Sequence, residues 1–543
     1  MREALRRAHD VLGAGARQLG RLLAPWGRGR RWELLLGTLV LVLLAYTRMD
    51  PDISVPNERS RVYLTIAIVD QGSLSIDEPM HRWGPLLDRA QRDGRYYTDK
   101  APGMSLLGVA PYWLVRTFTS PGDWAIADVI NLMRTWVMLP IALLGFFWMR
   151  RFLRRLGLDP PIVDVASLGW ALGTAAFHYG TAFYGHQVVA VCLLGALDLI
   201  HAADKAEGGF RRVHLRLLGA GALAGFAGLT EYQAGIPAAL LGLYVLFAFV
   251  RRRPLGIALF ALGAIPFAVV LFGYNTLAFG GPLELSYEYL VHPILRRIHG
   301  AGIAGVAMPH WDYAVGGFLS LNRGLFATSP IFLLSLPGLV LMWRRGLRAM
   351  TLLIGLSMIY FAVFIAGTEM WYAGWGFGPR LLVPMMAWAM IPVAFCLQAA
   401  ARRLLTDALA RGLAVAGLAV HQFVHGVFPE LPEDATNPLM DAVLPAASGP
   451  CVSPNLATGI LGWQGLRSLL PLFGLALLAG AAILRGGSDG RTRDQRWARV
   501  LVALVPLLLL ALLVLLSGPG WTNPEMEAFL RWLGRLGRNE AAI

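Results

Sequence analysis

The chain has 543 residues, 56% of them hydrophobic and only 15% charged, with apolar runs long enough to cross the roughly 30 Å hydrocarbon core of a bilayer. That balance excludes a soluble protein and predicts an all-α polytopic membrane protein, because lipid offers no partners to an open backbone. The net charge of +14 is no nucleic-acid footprint, since the basic residues fall in short clusters between apolar runs rather than in one patch.

The first 31 residues carry eight Arg against Glu3 and Asp10, which places the N-terminus in the cytoplasm. No small-residue cleavage site follows the apolar run from Trp32, so residues 32–47 read as an uncleaved first span. An outside loop follows over residues 48–123. Within it, Met104 to Phe118 looks like a span but is short and carries Pro111 and Arg116. Were it to cross, Arg150, Arg151, Arg154 and Arg155 would be forced outside, so an interfacial or re-entrant helix is expected.

Further spans are expected near residues 125–149, 161–179, 186–202, 214–230, 232–250, 254–277, 324–343, 349–366, 381–399, 408–425, 465–484 and 499–517. This bundle of about twelve helices over residues 124–517 brings the total to about thirteen and leaves outside loops near 278–323, 367–380 and 426–463. It also keeps Arg211 and Arg212, Arg251 to Arg253, Arg344 to Arg348, Arg402 and Arg403, and the 491–499 cluster on the cytoplasmic side. The expected location is a bacterial inner membrane, N-terminus in and C-terminus out. The tail, residues 518–543, sets Arg531, Arg535 and Arg538 beside Phe529, Trp532 and Leu536, the pattern of a basic amphipathic helix on the outside. Cys192 and Cys396 lie in apolar runs and Cys451 is alone in a loop, giving neither a ligand spacing nor a disulfide pair.

Outside the basic clusters, nearly all Asn, Tyr, His, Trp and carboxylate residues fall on the outside face, which is therefore the functional face. Glu58 lies among Asn57, Arg59, Ser60 and Arg61 just after the first span, with Asp50 and Asp52 a few residues earlier. A carboxylate there can act as general base toward a hydroxyl, its ionised form favoured by basic neighbours; the competing reading is a loop salt bridge. The stretch Asp93-Gly-Arg-Tyr-Tyr-Thr-Asp-Lys-Ala-Pro-Gly103 opens on a turn signal, sets Tyr96 and Tyr97 at the interface and ends with Lys100 where the expected interfacial helix begins. Lysine there can hold a lipid phosphate or simply snorkel.

Further candidates are His178 and His186 at two outside span ends, Glu231-Tyr232 where two spans meet, and Tyr287 in an aromatic loop. The histidines could orient an acceptor or help hold a metal, and they equally suit interfacial hydrogen bonding. Asn322-Arg-Gly324 and Trp371-Tyr-Ala-Gly-Trp-Gly-Phe-Gly-Pro-Arg380 add Arg323, Arg380, Trp371 and Trp375 to the same face. Aromatic platforms suit sugar rings and arginine forks suit phosphates.

Together these segments resemble the class C glycosyltransferases, membrane enzymes that use polyprenyl-phosphate sugars, particularly the branch of protein O-mannosyltransferases and the aminoarabinose transferase of lipid A. The Asn57-Glu58 segment, followed by an apolar helix from Val62 to Val69, looks like the family's acidic motif in the first outside loop. Lys100-Ala-Pro102 looks like a variant of its Lys-Pro-Pro segment, and Arg134 resembles the arginine that opens the next span. Two departures stand out: an adjacent pair of acids is missing, and Gly103 replaces the second proline after an inserted alanine.

The resemblance implies an inverting displacement on the periplasmic face, with Glu58 as base and Asp50 or Asp52 as rivals. Lys100, Arg380, Arg323 and Arg134 would stabilise the departing phosphate, while Tyr96, Tyr97, His186, Glu231, Tyr232, Tyr287, Trp371 and Trp375 would hold sugar or acceptor. The implied partners are a polyprenyl-phosphate sugar, a glycan, lipid or protein acceptor, and the bilayer. A divalent cation is left open. The rival readings are a lipid-linked glycan ligase or polymerase, and a transporter or flippase, which would show mid-span charges and inverted repeats.

Overall fold

The computed structural model describes residues 29–46, 55–120, 124–205, 209–448, 451–486 and 492–536. Asp50 and Asp52 lie outside the described residues. Ten described helices are long and apolar enough to cross a membrane: Ile126–Arg155, Gly185–Asp204, Arg211–Thr230, Tyr232–Phe249, Pro254–Phe279, Arg348–Gly367, Arg380–Ala400, Leu404–Val427, Gly465–Arg485 and Arg493–Ser517. The other three expected spans are shorter helices, Arg30–Tyr46, Pro160–Gly173 and Pro330–Arg344. The protein is an all-α polytopic membrane protein.

Burial sorts the helices into a centre and a rim. Gly185–Asp204 and Arg380–Ala400 are 94% and 83% buried along their apolar windows, whereas Pro254–Phe279 and Arg493–Ser517 are only 17% and 11% buried. Helices apolar on every side and covered by protein form the core, and those equally apolar but uncovered present leucine and valine outward, as a lipid-facing surface requires.

The basic end of the bundle is tied by buried ion pairs. Arg150 donates to Glu33 at 2.6 and 2.7 Å and to Asp164 at 2.7 Å, joining three helices through one guanidinium that is 1% exposed. Trp32 Nε1 also donates to Asp164, at 3.0 Å. Arg155 pairs with Asp198, and Asp407 receives Arg411 and Arg499 at 2.7 Å each.

The first outside loop departs from the sequence reading in two places. The segment expected as loop around Glu58 is already helical: Pro56–Ile66 starts on a proline at its first position and continues as a π turn, Ala67–Gln71. Proline suits that position because its missing N–H would be unpaired there anyway. The second departure is a hairpin in an otherwise helical fold, β1 (Arg89–Arg92) pairing antiparallel with β2 (Arg95–Thr98). Asp93 and Gly94 have φ of 49° and 77°, the left-handed pair that a tight two-residue hairpin turn needs.

After the hairpin comes the helix Gly103–Arg116. A Cβ at Gly103 would lie 2.6 to 2.8 Å from Thr230 and Leu229, so glycine permits this helix to start against the end of Arg211–Thr230. Its 14 residues span about 21 Å at 1.5 Å per residue, short of the bilayer core. Trp113 and Leu114 face outward at 60% and 51% exposure, while Asp70 binds Tyr112 and Arg116 at 2.9 Å each and fixes the far end.

The C-terminal helix, Asn523–Leu536, does not lie free: Phe529 packs on Phe428 at 5.7 Å and Trp532 on Trp375 at 5.4 Å. Asp441 accepts the backbone N–H groups of Gly520 and Trp521 at 2.6 and 3.0 Å and so sets the approach of this helix.

Candidate active site

Chain direction gathers the site. Arg134 and His186 lie near the starts of helices that run toward the basic end, and Arg380 begins another; Glu231 and Glu430 lie just past the ends of helices running the other way. All five therefore come to the face opposite the basic clusters, where the first loop covers them.

The loop supplies a tight polar cluster. Ser60 meets Thr98 at 2.7 Å and Asp99 at 3.3 Å, joining the helix Pro56–Ile66 to the end of β2. Lys100 lies 3.1 Å from Asp88 and in direct contact with Asp99, while Ser286 donates to the Asp99 carbonyl at 2.7 Å. Burial works to neutralise Lys100, yet Asp88 and Asp99 outweigh it and hold the ammonium above its usual range. The two carboxyls are pushed apart: burial, with Asp88 as a like-charged neighbour, raises Asp99, whereas Lys100, Arg380 and Arg61 overcome burial and lower Asp88.

Beside this cluster Arg61 donates to Glu231 at 2.6 Å and also to Asn57, and its guanidinium sits 5.9 Å from the Tyr184 ring. Arg380 approaches the same ring at 5.2 Å. Among the described residues Arg380 has no carboxylate at ion-pair distance, and its Nε is buried without a partner. It nevertheless shares its surroundings with the lysine cluster, since Asp88 acts on Arg380 and Arg380 acts on Glu231 together with Arg61 and Lys100. His186 stacks on Tyr184 at 6.3 Å, receives Gln233 at 3.1 Å and lies 3.9 Å from Glu231. Burial raises the Glu231 carboxyl, but His186 and Arg61 more than reverse this and keep it below the usual range.

The expected base and one expected phosphate ligand are bound to each other. Arg134 Nε donates to Glu58 Oε1 at 2.8 Å, a second guanidinium N–H reaches Oε2, and the Phe183 N–H donates to Oε1 at 2.8 Å. Both residues are buried, Glu58 completely. Glu58 thus accepts three hydrogen bonds, two of them from one guanidinium.

Arg323 is likewise engaged, here by backbone. It donates to the carbonyls of Tyr372, Gly374 and Leu431 at 3.2, 3.0 and 3.3 Å and to Asn322, clamping the glycine-rich loop to the segment after Leu404–Val427. Burial pushes its guanidinium down to about 10.

That segment carries Glu430, which has no counterpart among the expected site residues. Its side chain is 1% exposed, neither oxygen has a hydrogen-bond partner among the described residues, and His178 Nε2 lies 3.5 Å from Oε1. Burial first, then repulsion from Glu58, raises its carboxyl to about 7 against the pull of Arg134, Arg380 and Arg323.

The expected aromatic contacts divide. Tyr287 meets Tyr232 edge-on at 5.6 Å and stacks on His299 at 4.6 Å, close enough to Glu231 and Asp99 to feel their charge. Tyr97 packs on Phe279 at 5.6 Å, and Tyr96 lies under Arg89 at 5.2 Å, so both hold the hairpin. Trp371 lies at Gly316 and beside Tyr372, and Trp375 is covered by Trp532. The structure thus brings together Lys100, Arg380, Glu231, His186, Tyr232 and Tyr287, sets Glu58 and Arg134 against one another, and turns Tyr96, Tyr97, Trp371, Trp375 and Arg323 to packing.

Sequence reasoning passed over Asp88, Tyr184 and Glu430 as site residues. Their type and position in sequence carried no signal of their own, and only folding reveals their neighbours. Among the described residues no group of three or more His, Cys, Asp or Glu side chains is placed to hold a metal ion.

No protein-family model matches the chain, and no curated protein matches it in sequence. Among solved structures it is similar to ArnT from Cupriavidus metallidurans in the apo state, with 15% identity, a TM-score of 0.46, and coverage of 93% of this chain and 76% of that one. The same protein bound to undecaprenyl phosphate matches at 15% identity and TM-score 0.46 over 88% of this chain and 78% of that one. The Archaeoglobus fulgidus oligosaccharyltransferase in complex with zinc and sulfate matches at 13% identity and TM-score 0.42, over 72% of this chain and 52% of that one.

Proposed function

We propose that this protein is an integral-membrane glycosyltransferase. It moves a sugar from a polyprenyl-phosphate donor to an acceptor hydroxyl, with inversion, on the face opposite the basic clusters. The observation that carries this reading is Arg380: a guanidinium over the Tyr184 ring that Arg61 also faces, without a carboxylate partner among the described residues, and acting together with Lys100 and Arg61 on Asp88. A cation left open between other cations suits an anionic group, and an arginine fork suits a phosphate. The outward-facing Trp113 and Leu114 on the neighbouring helix offer apolar surface for a lipid tail.

In the reaction the acceptor oxygen attacks the anomeric carbon as the bond to the phosphate oxygen breaks, its electrons passing to the phosphate. That group leaves as an anion and needs charge stabilisation more than a proton, unlike the leaving group of a glycosidase. Arg380 and Lys100 supply it, Lys100 turning from Asp88 and Asp99 to the phosphate. Asp99, already raised by burial, is the member of that cluster that most readily becomes neutral. Tyr287, Tyr232 and His186 flank the space in which the sugar would lie. The acceptor is a hydroxyl of a glycan, a lipid or a protein.

The test is turnover by purified protein in lipid nanodiscs of a panel of polyprenyl-phosphate pentoses and hexoses, with sugar release followed against candidate acceptors. Transfer from at least one donor, lost in Arg380→Ala, is expected; movement of intact donor across the bilayer without cleavage would establish the flippase reading instead.

A further inference from the structure

Of the buried or half-buried carboxylates described above at the outer end, four are held by a cation at hydrogen-bond distance. Glu58 is held by Arg134, Glu231 by Arg61, and Asp88 and Asp99 by Lys100. Glu430 is the exception: it is buried, and both oxygens lack a hydrogen bond among the described residues. A buried carboxylate left so is costly, and native proteins keep such groups where function requires them.

We propose that Glu430 accepts the proton of the acceptor hydroxyl, an inference that rests on the transferase reading above. The acceptor O–H bond breaks, its proton passes to a Glu430 oxygen, and the electron pair released forms the bond to the anomeric carbon while the sugar–phosphate bond breaks. Glu430 is left as a neutral acid. The proton leaves Glu430 once the product departs; His178 Nε2 lies 3.5 Å from its carboxyl.

Three observations support the assignment. Neither Glu430 oxygen has a hydrogen bond among the described residues, whereas both Glu58 oxygens accept from Arg134 and Oε1 also from the Phe183 N–H. It also shares its surroundings with the cation assigned to the leaving phosphate: the charged and titratable groups facing it are Arg380, Arg323, Arg134, Glu58, His178, Tyr179 and Tyr184. Finally, the chain that crosses it presents no side chain. Gly376 has φ of +135°, and a Cβ there would lie 2.8 Å from Tyr179 Oη, 3.6 Å from His178 Nε2 and 3.8 Å from Glu430 Oε2. Burial and the Glu58 charge set its proton affinity near neutrality, where a base combines availability with driving force.

The experiment compares wild type with Glu430→Gln in sugar transfer from the best polyprenyl-phosphate donor, across pH 5 to about 9, with binding of polyprenyl phosphate alone measured in parallel. Expected is a wild-type kcat that falls below about pH 7, a loss of about 100-fold or more in the variant, and no remaining limb near neutrality. Affinity for polyprenyl phosphate should stay within a few-fold. A variant that retains turnover within a few-fold, or keeps the same pH limb, overturns the assignment while leaving the transferase reading intact. Absence of transfer by wild type from every donor overturns that reading instead. Should the variant fail to bind polyprenyl phosphate, the wild-type profile decides: a limb near 7 supports Glu430, and one in the usual carboxylate range overturns it.

Discussion

The two ends of the helix bundle solve the same problem, charged groups inside a membrane protein, in opposite ways. At the basic end Arg150 is matched by Glu33 and Asp164, Arg155 by Asp198, and Asp407 by Arg411 and Arg499. At the outer end Arg134, Arg61 and Lys100 are matched, but Arg380 and Glu430 have opposite charges and make no ion pair with each other among the described residues. The buried pairs at the basic end tie helices to one another. At the outer end Arg380 and Glu430 are left without such partners, and on the reading proposed above they meet a substrate that brings its own charge and its own proton.

The comparison predicts that stability and activity separate between the ends, and the largest effect should come from Arg150→Ala. Removing the buried guanidinium leaves Asp164 with Trp32 alone and Glu33 with the more exposed Arg154, at a cost of about 3 kcal/mol, seen as a fall in the thermal midpoint in detergent; a shift within error would show that the basic end is not the clamp. Next comes Glu430→Gln. Because the folded-state value is raised to about 7 from 4.5, stability from this group is full below pH 4.5 and lost as pH rises through about 7. The variant should therefore be more stable than wild type above pH 7, by on the order of 3 kcal/mol, and equal to it near pH 4. Equal midpoints at pH 8 would contradict a buried, uncompensated Glu430.

Arg380→Ala should reverse the pattern of Arg150→Ala, leaving the midpoint nearly unchanged while weakening polyprenyl-phosphate binding about 10- to 100-fold, as for one or two charge-assisted hydrogen bonds. Unchanged affinity with intact folding would remove Arg380 from the phosphate site. The smallest effect is expected for Trp532→Ala, which loses ring contacts to Trp375, Phe428 and Phe529 worth about 1 kcal/mol. Its readout is faster amide exchange in the segment after Leu404–Val427 that holds Glu430; unaltered exchange would mean the C-terminal helix does not brace the site.

Much of the architecture was legible in the chain because its causes are local. Apolar runs locate helices, as at residues 254–277 against the observed Pro254–Phe279. The Asp93-Gly94 pair announced a turn, though not the strands on either side, which dock on the first-loop helix through Ser60 and Thr98 and on the later loop through Ala90 and Leu290. The start of that helix at Pro56 was missed because polar residues dominate its first turn, and the helix is held by burial against neighbours rather than by its own pattern.

The candidate site was legible only as a set of residue types on one face. Lys100, Arg380, Glu231 and His186 were found because a charged or polar residue at a span end is itself a signal. Their partners were not, because pairing reaches across the chain: Arg134 to Glu58 over 76 residues, Arg61 to Glu231 over 170. Glu58 read in sequence as a base or as a salt bridge, and the fold set Arg134, 76 residues away, on it. Glu430 looked like an ordinary loop acid, and the fold buried it.

What the sequence determined by itself is the membrane class, the helices and the face on which polar chemistry collects, since hydropathy, helix period and charge bias act over short stretches. Which of the gathered charges neutralise one another and which stay open was decided by tertiary structure alone. Proton affinity and phosphate attraction depend on burial and on charges a few ångströms away, and those distances exist only once the helices have packed.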